Sequence, residues 1–438
     1  MTYPEARHAF EEITAEEPRC AMAHWGVAMT LFQPLWPTRP GPKDLQHGWD
    51  EVQEARAAAV PTDRERFFID ATEAFFTDPS ATDYWARIGR WEKALERAYA
   101  AFPEDSEVQA FYALAHLATT PATRITREHA DKAAEILLKI YEKNPQHPGA
   151  MHYLVHANDV PGRERQLLEI TRKYESVAPR NPHALHMPTH IYTRLGDWDG
   201  VIRGNLLAAD AALEQPAGPN REFVWDEFPH AVEYLIYAYL QKGDDANAAA
   251  QLARLQGTKN IEPTFKTAFH LASTQSRYVL ERRDWKAAAA LVPPQEKFTW
   301  PEAIVVFARG LGSAHTGNLE TARKSVERLT ELEAATRKNG EELFARNIGM
   351  LKLELDAWTR RSPQLMREAA ELEAATPKPP VTPAPTLPAT ELLGDLLLEL
   401  NQPAEALAAY RKSLELYPHR RNGVDGAARA ERDLGGRH

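Results

Sequence analysis

Leu393-Gly394-Asp395-Leu396-Leu397-Leu398-Glu399-Leu400-Asn401-Gln402-Pro403-Ala404-Glu405-Ala406-Leu407-Ala408-Ala409-Tyr410, with Pro418 shortly after, is the stretch that decides the fold. Small residues at Gly394 and Ala406 let two successive helices approach closely. The aromatic ring of Tyr410 fills the gap behind them. Pro418 stops the second helix, because proline has no amide hydrogen to donate and cannot sit in a helix interior.

Leucine-glycine, then alanine, an aromatic and proline at this spacing is similar to the tetratricopeptide repeat, with Tyr in place of Phe. Working outward, the turn between paired helices recurs. It reads Leu195-Gly196-Asp197-Trp198, Lys242-Gly243-Asp244, Arg283-Asp284-Trp285 and Thr316-Gly317-Asn318-Leu319. The successive intervals, Gly196 to Gly243, Gly243 to Arg283 and Arg283 to Gly317, are 47, 40 and 34 residues. The last equals one tetratricopeptide repeat; the longer ones imply insertions. The rest of the chain is helical in pattern. Apolar residues recur at three and four, as in Leu167, Leu168, Ile170 and Tyr174, the spacing of one helix face. Prolines such as Pro103, Pro145, Pro148, Pro179 and Pro182 fall between helices. The expected fold is therefore all-α, a right-handed α-solenoid of helix pairs. The expected organisation is a solenoid over 1–373, a Pro-rich polyproline linker over 374–389, and a final helix pair with tail over 390–438.

Bulk properties narrow the function. The chain has 438 residues, 43% of them hydrophobic, so a sizeable core can form. Its net charge of −10 argues against nucleic acid or an anionic membrane as the main partner. The single cysteine, Cys20, excludes an internal disulfide and a multi-cysteine zinc site. No apolar run approaches the length of a membrane span. No signal peptide is evident at Met1-Thr2-Tyr3-Pro4. A cytoplasmic protein is the expectation, or an exported one if the native start lies upstream.

The sixteen histidines cluster. His152 and His156 are four apart on one helix, and His186 and His190 are four apart on another. The two pairs are offset by 34 residues, one repeat. Counting Gly196 as position fifteen puts His186 at five and His190 at nine; counting from Pro145 puts His152 and His156 at the same positions. Positions two, five, nine and twelve of a first helix face the concave groove. Asp159 falls at twelve. The next helix presents His230, Glu233 and Tyr237 at two, five and nine, and the one after it His270, Ser273 and Arg277.

Two i,i+4 histidine pairs suit metal binding, since residues so spaced lie about 5–6 Å apart at Cβ. Neighbouring helix axes are roughly 8–10 Å apart, within imidazole reach. The expected ligands are His152, His156, His186, His190, His230 and Glu233, holding one or two transition-metal ions (Zn, Fe, Mn or Cu). Glu233 would be ligand or general base. Asp159 would be a catalytic partner fixing an imidazole tautomer. Tyr237, His270 and Arg277 would bind substrate. The insertion from Leu213 to Pro229 carries Arg221, Phe223, Trp225 and Phe228 and reads as a lid, with Trp225 walling the site and Arg221 meeting an anionic group. The competing readings are a groove for a peptide or small anion and a structural hydrogen-bond network. His24, His116 and His315 read as packed or surface residues. His8, His47, His129, His147, His419 and His438 carry no functional weight. There is no H-E-x-x-H, no nucleophile elbow and no phosphate loop.

Gly149-Ala150-Met151-His152-Tyr153-Leu154-Val155-His156-Ala157-Asn158-Asp159 and His183-Ala184-Leu185-His186-Met187-Pro188-Thr189-His190-Ile191-Tyr192 resemble two motifs of large, mostly uncharacterised bacterial tetratricopeptide proteins. Those motifs are H-Y-L-[IV]-H-x-x-D and H-A-L-H-M-P-[ST]-H-I-[FY]. Pro18-Arg19-Cys20-Ala21-Met22-Ala23-His24-Trp25-Gly26 is similar to their D-P-x-C-A-M-A-x-W-G. The resemblance covers roughly the first 240 residues and implies the repeat fold, with no general activity. The functional expectation is a metal-dependent enzyme, hydrolytic or oxidative, acting on a small molecule. The alternative is a non-catalytic scaffold binding a peptide or protein.

Overall fold

A computed structural model describes residues 3–36, 39–58, 62–81, 83–119, 127–160, 162–218, 220–294, 298–379 and 381–435. Pro380 and His438 lie outside the described residues. The chain forms two compact units rather than the one continuous solenoid expected: residues 1–188 with 210–225, and residues 189–209 with 226–438.

Unit 1 contains α1 (Tyr3–Glu16), α2 (Ala21–Leu31), α3 (Pro42–Ala57), α4 (Asp63–Phe76), α5 (Tyr84–Ala101), α6 (Ser106–Thr119), α7 (Glu128–Lys143), α8 (Pro148–Asn158), α9 (Glu164–Tyr174) and α10 (Pro182–His186). It also holds a short hairpin of β1 (Pro216–Ala217) and β2 (Phe223–Val224). Most of α11 (Pro188–Leu195) and α12 (Trp198–Leu213) belongs to unit 2. There they are followed by α13 (Glu227–Gln241), α14 (Asp245–Gly257), α15 (Phe265–Glu281), α16 (Trp285–Ala289), α17 (Thr299–His315), α18 (Leu319–Lys338), α19 (Glu342–Thr359), α20 (Pro363–Ala374), α21 (Ala389–Glu399), α22 (Pro403–Leu416) and α23 (Arg421–Gly435).

Packing is local in sequence. Successive helices within a unit contact each other, as α6 does α7 and α17 does α18. Alternate helices also touch: α2 with α4 and α6 with α8 in unit 1, and α13, α15, α17, α19 and α21 in series in unit 2. Hairpins stacked on their first helices make an α-solenoid.

The turns carry this architecture. Gly196, Gly243 and Gly317 have φ of +67°, +73° and +86°, the left-handed conformation that ends a helix and that glycine adopts without strain. Arg283 holds the equivalent turn at φ +54°, a strained conformation for a residue with a side chain. Its guanidinium reaches Glu391 at 3.0 Å and Asp395 at 2.7 Å, which holds the turn in place. The next residue in each turn caps the following helix: Asp244 accepts from Asn247 N–H, Asp284 from Ala287, and Asn318 from Thr321. In the C-terminal repeat, a Cβ on Gly394 would come within 2.7 Å of the Tyr410 ring, so the small residue there admits the aromatic.

Two expectations about organisation are corrected. The Pro-rich segment is not a spacer. Val381, Ala384 and Leu387 are buried in the core of unit 2. Arg277 donates to the carbonyls of Ala384 (3.1 Å) and Pro385 (3.0 Å), so the segment lies strapped across α15. The last helices are not a tethered pair either. Buried Arg420 bridges Glu281 on α15 (2.9 and 3.0 Å) and Glu391 on α21 (2.9 and 3.0 Å). Among the described residues, no helix is long and apolar enough to cross a membrane.

Candidate functional site: two histidine-bearing clusters

The second histidine motif is not one helix. Asn181 caps α10 by accepting from Ala184 N–H, and Pro182 takes the first position. α10 ends at His186, and α11 restarts at Pro188, whose ring nitrogen cannot donate to the preceding turn. His186 and His190 therefore fall on different helices. The 34-residue register does hold where the helices begin. His147 caps α8 as Asn181 caps α10, its Nδ1 accepting from Ala150 N–H at 3.2 Å. That contact accounts for His147 structurally.

In unit 1, His152 and His156 come together on α8, but their third partner is His183, not His186. His156 Nε2 lies 3.1 Å from His152 Nε2, and His183 Nε2 lies 3.2 Å from it. The other nitrogen of His152, Nδ1, is 3.1 Å from the hydroxyl of Tyr174 on α9. Burial holds that phenol well above its usual pKa, so it stays neutral. A neutral hydroxyl can donate to or accept from Nδ1; in the tautomer where it accepts the His152 Nδ1–H, the Nε2 lone pair faces the other two rings. The Tyr174 hydroxyl is the group placed against His152 Nδ1, and Asp159 stands at the C-cap of α8. The His183 ring packs 4.8 Å from the Trp36 ring, and His186 stacks 6.1 Å from His183. His152 and His183 are buried and His156 is half-buried. The three offer one ligand atom each within metal-binding range of one another.

In unit 2 the expected site residues meet partners of opposite kind. Glu233 on α13 is fully buried. His270 Nδ1–H donates to its Oε2 at 2.6 Å, the Ser273 hydroxyl to its Oε1 at 2.6 Å, and Arg277 Nε approaches Oε1 at 3.4 Å. Burial alone would raise the Glu233 pKa, but His270, Arg277 and Ser273 hold it below the usual carboxylate range. Both oxygens are engaged, so a metal or an incoming proton would have to displace one of these donors. The His230 ring lies 4.7 Å from His270, and His190 Nδ1 is 3.4 Å from the Tyr234 hydroxyl.

Tyr237 and Arg277, expected to bind substrate, are instead parts of a buried ionic network. Arg420 donates to the Tyr237 hydroxyl at 3.0 Å, and the Arg277 guanidinium sits 4.9 Å over the Tyr237 ring. Arg277 is 1% exposed and His270 0%, and His270 Nε2 has no hydrogen-bond partner among the described residues.

The insertion, from 213 to 225, lies in unit 1. It is an antiparallel hairpin, Pro216 opposite Val224 and Ala217 opposite Phe223, packed on α1. Arg221 turns at φ +55° and pairs with Glu5 of α1 at 3.1 Å, a partly exposed contact rather than a site for an anionic group. Trp225 and Phe228 are both buried.

His183 is the member of this cluster that the sequence pattern did not single out. It stands within the quoted H-A-L-H motif, but the choice between His183 and His186 depends on how two helices are phased in space.

No family model matches the chain, and neither does any curated protein sequence. Solved structures that it resembles include the human IFIT1 dimer with m7Gppp-AAAA, at TM-score 0.43 and 12% identity over 95% of both chains. Yeast Tom70 aligns at TM-score 0.36 and 10% identity over 98% of this chain and 85% of its own. The APC/C hetero-tetramer Cut9-Hcn1 aligns at TM-score 0.33 and 14% identity, over 98% and 86%. At such similarity no ligand or partner passes from them to this chain.

Proposed function

We propose that unit 1 binds a transition-metal ion through His152, His156 and His183, and that the protein is a metal-dependent enzyme acting on a small molecule. The observation that carries this is the meeting of three Nε2 atoms. A hydrogen bond needs a proton between two atoms, and a neutral imidazole offers one donor. In the His152 tautomer whose proton lies toward Tyr174, Nε2 is an acceptor facing two other ring nitrogens. One proton cannot satisfy that arrangement as well as a cation with three lone pairs turned to it.

Three imidazoles with a fourth position open is the ligand set of catalytic zinc, whereas structural zinc is closed by four protein ligands. Such an ion lowers the pKa of its bound water to about 7. Hydrolysis is therefore favoured over oxidation. Half-buried His156 marks the side from which water and substrate would reach the ion.

The test is calorimetry on untagged, chelator-treated protein with Zn²⁺, Mn²⁺, Fe²⁺ and Cu²⁺. At least one ion should bind, and His183→Ala should weaken that binding more than tenfold while leaving the helical spectrum unchanged. Affinity should fall as pH drops through the imidazole range, because protons compete for the same nitrogens. Equal binding by His183→Ala and the parent protein would remove the site and leave a peptide scaffold as the better account of the fold.

A further inference from the structure

A second cluster in unit 1 lies outside the histidine motifs altogether. Glu92 is on α5, His116 near the end of α6, and His129 in the first turn of α7. His116 Nδ1 is 3.0 Å from Glu92 Oε1, His129 Nδ1 is 3.2 Å from the same oxygen, and the two ring nitrogens are 2.9 Å apart. We propose that these three side chains form a separate binding site for a divalent first-row transition-metal ion, occupied in six-coordinate geometry with three positions left to water or ligand.

Three ligand-type atoms, each about 3 Å from the other two, make a closed triangle. Protons satisfy it poorly. If both imidazoles donate to the one carboxylate oxygen, two N–H groups face each other across 2.9 Å. If one imidazole is turned to its other tautomer, its lone pair faces an anionic oxygen 3.0 or 3.2 Å away. The Thr119 hydroxyl, 3.4 Å from His129 Nδ1, does not resolve this, because its own proton goes to the carbonyl of Ala115 (2.8 Å) or of His116 (3.0 Å). A dication at the centre makes all three lone pairs attractive.

The edge lengths admit that geometry and the donors favour it. With metal–ligand bonds of about 2.1 Å, neighbouring ligands lie ~3.0 Å apart at octahedral angles and ~3.4 Å apart at tetrahedral ones. Edges of 2.9, 3.0 and 3.2 Å fit the octahedral spacing without excluding the other. Two imidazoles and one carboxylate on one face are the ligands that suit Fe²⁺, Mn²⁺, Co²⁺ or Zn²⁺ with open positions opposite. The site is neither sealed nor superficial. His116 is 9% exposed, and the side chains of His129 and Glu92 are 25% and 18% exposed. The His116 ring is braced 4.5 Å from the Tyr112 ring. Water can reach the open positions, and the ligands are held by three different helices.

The site does not depend on the three-histidine set, and its test separates the two. In full-length protein carrying His156→Ala and His183→Ala, stripped with chelator, titrated Co²⁺ should bind with the weak visible absorption of six-coordinate cobalt. Adding Glu92→Gln or His129→Ala to that background should weaken Co²⁺ binding more than tenfold, with the helical spectrum retained. No Co²⁺ binding by a folded background protein, or equal binding with and without Glu92→Gln and His129→Ala, overturns the proposal. An intense tetrahedral cobalt spectrum overturns its geometry. Should the background protein fail to fold, His129→Ala alone decides by Zn²⁺ stoichiometry. One equivalent should be lost relative to the parent, and an unchanged stoichiometry overturns the site.

Discussion

Both units bury histidines next to polar partners, but the partners differ in kind. In unit 2, His270, Ser273 and Arg277 surround Glu233, donors around an acceptor. In unit 1, ring nitrogens of His152, His156 and His183 face one another. In the first arrangement both carboxylate oxygens of Glu233 are engaged by donors and Arg277 offsets its charge, while His270 Nε2 is left without a hydrogen-bond partner among the described residues. The second sets ring nitrogens against one another, and under the proposed function a cation is what they share. Similar residues at similar repeat positions thus meet differently: around an anion in one unit, ring to ring in the other. Buried polar groups are satisfied within the fold or mark something the fold is built to take up.

The comparison is broken most forcefully in unit 2. Arg420→Ala leaves Glu281 and Glu391 buried without their shared guanidinium. Removing one partner of a buried ion network costs ~3–5 kcal/mol. Urea unfolding followed by the fluorescence of unit 2 tryptophans should show that loss, with metal binding by unit 1 unchanged. A loss below ~1 kcal/mol would mean that the network is not closed in solution.

A smaller effect concerns pH. Glu373 accepts from Ala389 N–H and the Tyr417 hydroxyl. Burial raises its pKa from 4.5 to about 7, against the opposing pull of those donors and Arg420. A carboxyl with a folded pKa above its unfolded one stabilises fully below the unfolded value and loses that contribution as pH rises through the folded value. Between pH ~4.5 and ~7 unit 2 should therefore lose up to ~3 kcal/mol through this group. Glu373→Gln should flatten that slope. An equal slope in the variant would place the titration elsewhere.

In unit 1 the sharper change is one of affinity. Tyr174→Phe removes the hydroxyl that orients His152 but leaves the three nitrogens. Loss of such an outer partner typically costs 10–100-fold in metal affinity, so calorimetry should show a drop of that order with little change in unfolding midpoint. The smallest effect belongs to Arg221→Ala. Its partly exposed pair with Glu5 is worth no more than ~1 kcal/mol, and neither metal binding nor any activity should change.

The fold was legible because turns are local. A left-handed residue followed by a capping Asp or Asn announces each hairpin, and the interval between turns counts the repeats. Even Arg283, which breaks the glycine pattern, keeps its place through the Asp284 cap. The division into two units was not legible, since the helical pattern runs on through it. The Pro-rich segment misled for a definite reason. Its composition describes an extended chain correctly, but burial comes from Arg277, about a hundred residues away in sequence. His152 and His156 were readable because i,i+4 spacing fixes a shared face. His183 was not, because helix-to-helix phase has no local signature. Glu92, His116 and His129 stand on three helices with no common spacing, so their meeting appears only in three dimensions.

The central claim is that three Nε2 atoms in unit 1 hold one ion. The most direct measurement is anomalous diffraction at the metal edge from crystals of untagged protein supplied with Zn²⁺. The account predicts a peak ~2.1 Å from the Nε2 atoms of His152, His156 and His183. Ordered rings at those positions with no anomalous density between them would contradict it.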